Sequence, residues 1–195
     1  MRKAVIKRKT KETSIQMELK LDGQGRAEIS SPIGFLNHML ELLAHHGLFD
    51  LKARLRGDLE VDQHHLIEDT GIVLGQVFDR ALKKRTGIAR AGYSIFPMDE
   101  ALALVAIDLS GRPYLRLELK LRAKRLGDFN TENLFDFFQG FVNGLGAGLH
   151  IKLFYGRSDH HKIEAIFKAL ARALKQACTI EPERAGKVPS TKGVL

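Results

Sequence analysis

Polar and apolar positions alternate from the first residues of the chain. The alternation over residues 3–9 and 12–20 predicts two strands, the second with Ile15, Met17, Leu19 and Leu21 on one side. Asp22-Gly23 and Gln24-Gly25 signal a tight turn, and Arg26 to Ser30 is expected to return as a third strand in a hairpin. Pro32 and Gly34 break the pattern, and the period lengthens. Phe35, Leu36, Met39, Leu40, Leu42 and Leu43 recur at helical spacing as far as His46, and Gly47 stops them. A strand over residues 48–55 ends at Gly57. Asp62 is the expected N-cap of a helix running to about Arg85, with Gly87 beyond it. Gly71 and Gly75 lie inside that helix at i, i+4, where they weaken it but let a neighbouring helix approach closely.

The same order then returns. Residues 93–96, 100–109 and 112–121 read as strands, with Ser110-Gly111 as the turn between the last two. Residues 133–145 form a Phe-rich helix, 149–155 a strand closed by Gly156, and Ser158 caps a helix over 159–177. Strand-strand-strand-helix-strand-helix thus occurs twice, with the boundary near Ala91-Gly92. The fold class is α/β of the α+β kind: a duplicated βββαβα unit, two sheets each with two helices, similar to the second domain of ribosomal protein S5. Residues 1–92 form the first repeat, 93–180 the second and 181–195 a tail, in one compact domain.

A duplication aligns the chain with itself. His64-His65-Leu66-Ile67-Glu68 matches His160-His161-Lys162-Ile163-Glu164, and Gly57 matches Gly156. On a helix each first His shares a face with the Glu four residues on, while the second His points about 100° away. One copy can therefore offer a His/Glu pair to one metal ion and its second His to another. A lone His-His is usually a surface or core pair; the same five-residue pattern opening two apolar helices is not. His38 and Asp136, each one turn into the preceding helix, are counterparts and both can ligate a divalent ion. The candidates are then His38, His64, His65, Glu68, Asp136, His160, His161 and Glu164, dividing into two sets of four. Mixed imidazole and carboxylate donors suit Mn, Fe, Co, Ni or Zn, and four protein ligands on a six-coordinate ion leave two places for substrate or water. The four paired histidines fall in first turns, where the helix N-terminus is expected to keep the rings neutral.

Composition narrows the partners. The 195 residues hold 31 Lys and Arg against 23 Asp and Glu, a net charge of +8 that suits anionic ligands such as phosphorylated metabolites. The densest basic runs lack interleaved aromatics, which argues against nucleic acid. No apolar run reaches membrane-spanning length, and no stretch has signal-peptide form, so a cytoplasmic protein is expected. Cys178 is the only cysteine, which excludes a disulfide framework and a thiolate metal cage. By composition alone, Glu181 to Leu195 reads as a frayed tail.

At this point the chain resembles imidazoleglycerol-phosphate dehydratase. The resemblance runs over nearly the whole length, through Lys9 to Thr13, Gly34 to Leu40, Asp62 to Asp69, Pro97 to Leu102, Asp108 to Pro113, Phe167 to Leu174 and Pro189 to Gly193. It implies the loss of water from imidazole glycerol phosphate to give imidazole acetol phosphate, in histidine biosynthesis. It implies two Mn²⁺ ions per subunit and a homo-oligomer, a 24-subunit shell with active sites between neighbours. By position it makes Glu12 the catalytic acid/base. It makes His46, Arg90, Arg112, Lys168, Ser190 and Lys192 contacts to substrate and phosphate, so that the tail becomes a substrate-binding loop. Asp136 departs from the His usual at its place, and His45 and His150 are left unassigned. Glu12 alone would read as a strand-edge surface residue, and it is expected to have no partner in the other repeat. The chemistry fits these types: the proton lost from the glycerol chain is not acidic, so electron density from a metal-bound ring must help expel hydroxide.

Overall fold

The computed structural model describes residues 1–193. Strands β1 (Lys3–Lys9), β2 (Thr13–Lys20) and β3 (Ala27–Ser30) lead into helix α1 (Gly34–Gly47), strand β4 (Asp50–Gly57) and helix α2 (His64–Leu82). Strands β5 (Ala91–Met98), β6 (Ala101–Asp108) and β7 (Tyr114–Glu118) open the second set. A short hairpin, β8 (Arg125–Leu126) and β9 (Phe129–Asn130), precedes helix α3 (Asn133–Leu145), strand β10 (Gly148–Tyr155) and helix α4 (Asp159–Cys178). The duplicated βββαβα order is therefore present, with the hairpin as an insertion in the second repeat.

The expected hairpins between β2 and β3, and between β6 and β7, do not form. The sheets run β1-β2-β4-β3 and β5-β6-β10-β7. β3 pairs parallel with β4 through α1, and β7 pairs parallel with β10 through α3. Turn residues dictate that the chain reverses, not which strand it joins. β4 buries Leu51, Ala53 and Leu55 and takes a central place, while four-residue β3, mostly exposed, is left at the edge. The helix crossover then supplies the length a parallel pair needs.

α1 and α2 cover the first sheet, α3 and α4 the second, and the helices pack on each other between them. The pairing is crossed: α1 lies on α4 and α2 lies on α3, so each contact joins the two repeats. Gly71 and Gly75 of α2 face the backbone of α3 so closely that a Cβ on either would strike the carbonyl of Phe137 or Phe141. Gly140 and Gly144 of α3 face α2 in the same way. The two glycines read from the sequence thus have two partners it did not single out.

Side chains set the helix ends, local ones for α2 and α4 and a distant one for α1. α2 ends at Leu82, not Arg85, because Arg85 turns inward at φ 53°. Its buried guanidinium donates to the carbonyls of Leu109 (2.9 Å), Gly146 (3.1 Å) and Leu145. Asp62 sits one place before the N-cap, Gln63, and its carboxylate accepts the His64 N–H at 2.7 Å. Ser158 caps α4 as expected, accepting the His161 N–H. α1 has no cap of its own; Asp128, in the inserted hairpin, accepts the N–H groups of Gly34 (2.5 Å) and Phe35 (3.1 Å). Gln63 holds the other side of the same hairpin, donating to the Asp128 carbonyl and accepting the Asn130 N–H.

Candidate functional site

The crossed packing brings His38 on α1 to the first turns of α4. His38 Nε2 lies 2.7 Å and His160 Nε2 3.0 Å from the same oxygen of Glu164, Oε1. The other oxygen, Oε2, accepts from Lys168 Nζ at 2.7 Å. Burial works to raise the Glu164 pKa, but His38, Lys168 and His160 outweigh it and hold it at about 2. Two imidazole nitrogens and one carboxylate oxygen converge within 4.8 Å of one another, a donor set that fits a divalent transition ion.

The mirrored group of donors is looser, although its helices are closer. His64 Nδ1 on α2 lies 3.4 Å from Asp136 Oδ2 on α3, and half-buried Glu68 stands one helical turn below His64. Both groups of donors therefore draw on both repeats, and among the described residues each gathers three of the candidates. The remaining candidates, His65 and His161, join neither group. Each ring stands steeply across its neighbour's, with centroids 6.0 Å apart at 75° for His64 and His65 and 6.1 Å at 90° for His160 and His161. His65 Nδ1 faces the carboxylate of Asp58, at 3.1 Å from Oδ2. His161 Nδ1 faces Glu100 Oε2 at 2.7 Å. These hydrogen bonds raise the pKa of both rings, against the neutral rings expected from the helix N-terminus. A full carboxylate at hydrogen-bond distance outweighs the partial charge of the helix end.

Glu12 lies exposed in the turn between β1 and β2, and its charge acts on His65. It does have a counterpart in the second repeat. Thr13 pairs with Gly57, and Ala101 abuts Gly156, the equivalent of Gly57, so Glu100 occupies the place of Glu12. The two are used differently. Glu100 is pushed down to about 2, first by the Ser158 N–H and then by His161. The signal was in the self-alignment, but the one-residue difference in turn length obscured it.

His46, in the last turn of α1, packs its ring against Phe96 at 5.6 Å. Burial lowers its pKa, helped by His45, Lys168 and Arg172. His46 and Lys168 thus stand near each other where α1 meets α4, beside the tighter group of donors. Arg90, Arg112, Ser190 and Lys192 lie elsewhere. The Arg90 N–H donates to the carbonyl of Ala177, near the far end of α4, about 25 Å from His160 at the helical rise of roughly 1.5 Å per residue. The Arg90 guanidinium forms a bidentate pair with Asp108 and donates to the Pro189 carbonyl at 3.0 Å. Arg112 lines a cavity of about 420 Å³ on the second sheet, with Ser110, Tyr114 and His150.

The tail over residues 181–193 is not frayed. Its backbone exchanges hydrogen bonds with Gly87 through Glu181 and Lys187, and Pro189 is buried. Ser190 Oγ accepts the Lys192 N–H at 3.2 Å, and Ser190 lines a cavity of about 470 Å³ with Arg90, Arg184 and Lys187. Val194 and Leu195 lie outside the described residues.

Known proteins share this sequence and shape. Residues 31–174 match the family model described as imidazoleglycerol-phosphate dehydratase. Proteins of that name from Koribacter versatilis (strain Ellin345) and Thermoanaerobacter pseudethanolicus (strain ATCC 33223 / 39E) are 54% and 52% identical over 195 residues, covering all of both chains in each case. The crystal structure of imidazoleglycerol-phosphate dehydratase from Staphylococcus aureus subsp. aureus N315 superposes with a TM-score of 0.82 at 38% identity, covering 92% of this chain and 99% of that one. A second such structure, from Pyrococcus furiosus, has a TM-score of 0.82 at 37% identity, covering 97% and 100%. The chain, with its paired His-His-x-x-Glu helices and its full-length match, belongs to the imidazoleglycerol-phosphate dehydratase family, hydro-lyases of histidine biosynthesis.

Proposed function

We propose that this dehydratase works with two manganese ions per subunit, and that each active site is assembled from several copies within a shell of 24. The observation that carries this reading is a separation. His38, His160 and Glu164 stand at the start of α4, while Arg90, bonded to Ala177 and to the tail at Pro189, stands about 25 Å from His160, at the helical rise of roughly 1.5 Å per residue. A glycerol phosphate carrying one imidazole ring is far shorter than that. The donors of one chain and the phosphate-binding groups of another must therefore meet on one substrate.

In this arrangement His38, His160 and Glu164 hold one ion, and Asp136, His64 and Glu68 hold the other. His65 and His161, turned away from both groups in their own chain, complete the sites of neighbours. A divalent ion bound there supplies Lewis acidity and a template for the ring nitrogens of the substrate. Lys168 fixes Glu164 by its second oxygen and keeps the first free for the ion. Glu12, exposed and beside His65, moves the proton to and from the glycerol chain. Arg90, Arg112, Ser190 and Lys192 bind the phosphate and fix the reacting carbons in place, and His46 and Lys168 border the substrate.

The test is complementation between copies, read as turnover of imidazole glycerol phosphate after metal removal and Mn²⁺ addition. A His160→Ala variant and a chain lacking residues 186–195 should each be inactive. Co-assembled, they should recover a share of wild-type turnover, because some sites then combine an intact donor group with an intact tail. Mixed shells with no activity would show that each chain works alone.

A further inference from the structure

We propose that Asp58 and Glu100 are positioning residues: each fixes one histidine of a His-His pair, His65 and His161 respectively, with its proton on Nδ1 and its lone pair on Nε2, ready for a metal ion. The proposal rests on the reading above, in which both rings are ligands. A neutral imidazole carries one N–H and one bare nitrogen, and an ionised carboxylate can only accept. A carboxylate at Nδ1 therefore assigns the proton to that atom and leaves the lone pair on Nε2; at His161 a second carboxylate, Asp99, lies 3.8 Å from Nε2, beyond hydrogen-bond distance. The ring is also held in place, since a hydrogen bond at one nitrogen restrains the direction in which the other points.

Both contacts are built on fixed supports. Asp58 follows the last residue of β4, its N–H bonded to the Glu12 carbonyl at 3.1 Å, and presents both oxygens to His65 Nδ1, at 3.3 and 3.1 Å. Glu100 sits in the turn between β5 and β6. One of its oxygens accepts the N–H groups of Ser158 (2.7 Å) and Arg157 (3.1 Å), and the other faces His161 Nδ1 at 2.7 Å. That carboxylate is tied to the start of α4 by one oxygen and to the imidazole by the other.

The two acids are not equivalent in the duplication, which is the strongest argument that the contact has a purpose. Glu100 corresponds to Glu12, while Asp58 corresponds to Arg157, one place after the matched glycines Gly57 and Gly156. Simple inheritance would put both acids at the same position. Instead the same contact is made twice, from different positions on different elements. The relocation has a chemical consequence. In the second repeat the turn glutamate is occupied in holding its histidine. In the first repeat Asp58 does that work, and Glu12, beside the same ring, is free to exchange protons with a substrate.

The test measures tautomer and metal affinity, not turnover. In metal-free protein, at a pH where the rings are neutral, ¹⁵N NMR should show His65 and His161 with the proton on Nδ1. Asp58→Ala and Glu100→Ala should each shift that proton toward Nε2 and weaken Mn²⁺ binding in calorimetric titration by about 10- to 100-fold. Glu100→Gln, whose carbonyl oxygen can still accept from Nδ1, should keep the wild-type tautomer and most of the affinity. Because Glu100 also supports the start of α4, Asp58→Ala provides the cleaner reading if Glu100→Ala folds poorly. Unchanged tautomer and affinity in Asp58→Ala would overturn the proposal. A His161→Ala control separates the two failures. If it loses Mn²⁺ while the acid variants do not, only the positioning role falls; if it binds Mn²⁺ normally, the ligand assignment falls and takes the positioning role with it.

Discussion

The two crossings of helices from opposite repeats descend from the same contact, yet they are built differently. Where α2 meets α3, Gly71, Gly75, Gly140 and Gly144 let backbone touch backbone. At the crossing of α1 and α4, the offset that pairs His64 with His160 puts Phe167 and Ala171 at the places of Gly71 and Gly75. The offset that pairs His38 with Asp136 puts Leu42 and His46 at those of Gly140 and Gly144. The first crossing is a clamp with no room for anything else. The second carries larger side chains at the same places, with His46 and Lys168 beside it. The chemistry follows the same division. Lys168, which steadies Glu164, corresponds to Ile72, which packs against Gly140 and Gly144 in the clamp. Asp136 stands where His38 stands in the wider crossing, so the clamp's donors are the more acidic and carry no lysine. One crossing closes backbone on backbone, and the other is spaced by side chains.

The sharpest way to break this division is at the turn glutamates. Glu12→Gln should lower kcat by about 10²- to 10⁴-fold while metal content and affinity for a substrate analogue stay near wild type. A fall of less than tenfold, about 1.4 kcal/mol of barrier, would mean that the free carboxylate beside the clamp is not the acid/base. Next in size is the clamp itself. Gly71→Ala forces a Cβ against the Phe137 carbonyl and should cost about 1–3 kcal/mol of stability in denaturant unfolding. A neutral result would show that the α2–α3 contact can widen as the other already has. The smallest effect concerns pH in metal-free protein. His65 and His161 have raised pKa values in the fold, through Asp58 and Glu100, so protonation favours the folded state. Their contribution is fully present below the ordinary histidine value of about 6.5 and is lost as pH rises through the raised values. A His65→Gln, His161→Gln double variant should therefore show a flatter fall of stability across that window than metal-free wild type. Equal slopes would count against the carboxylate contacts.

The element order was legible because long apolar periods carry it: Phe35 to His46 could only be a helix, and Ile15 to Leu21 only a strand. Gly71 and Gly75 were legible as close contacts from their i, i+4 spacing, Gly140 and Gly144 were not, and the candidate donors were legible as a pattern because the chain repeats its own motif. Strand partners were not, since Asp22 to Gly25 encodes a reversal without naming the strand that receives it. The inserted hairpin escaped because its strands are two residues each, too short to show a period. Asp58 and Glu100 escaped because they reach their histidines through space, from elements with no local pattern in common. The raised pKa values of His65 and His161 escaped with them, since a helix end is visible in a sequence and a carboxylate arriving from another turn is not.

The crossed packing also says what an unfused unit would have been. One βββαβα unit leaves its first helix and its second helix each without the partner it has here. Two identical units facing each other about a two-fold axis would satisfy both, since each would lend its first helix to the other's second. Such a dimer would carry two identical ion sites and two identical turn carboxylates, and no substitution could alter one without altering the other. Joining the units into one chain removed that constraint. It is the covalent link between Leu82 and Ala91, far from any donor, that allowed one crossing to close on glycine while its twin stayed wide enough to hold a histidine and a lysine.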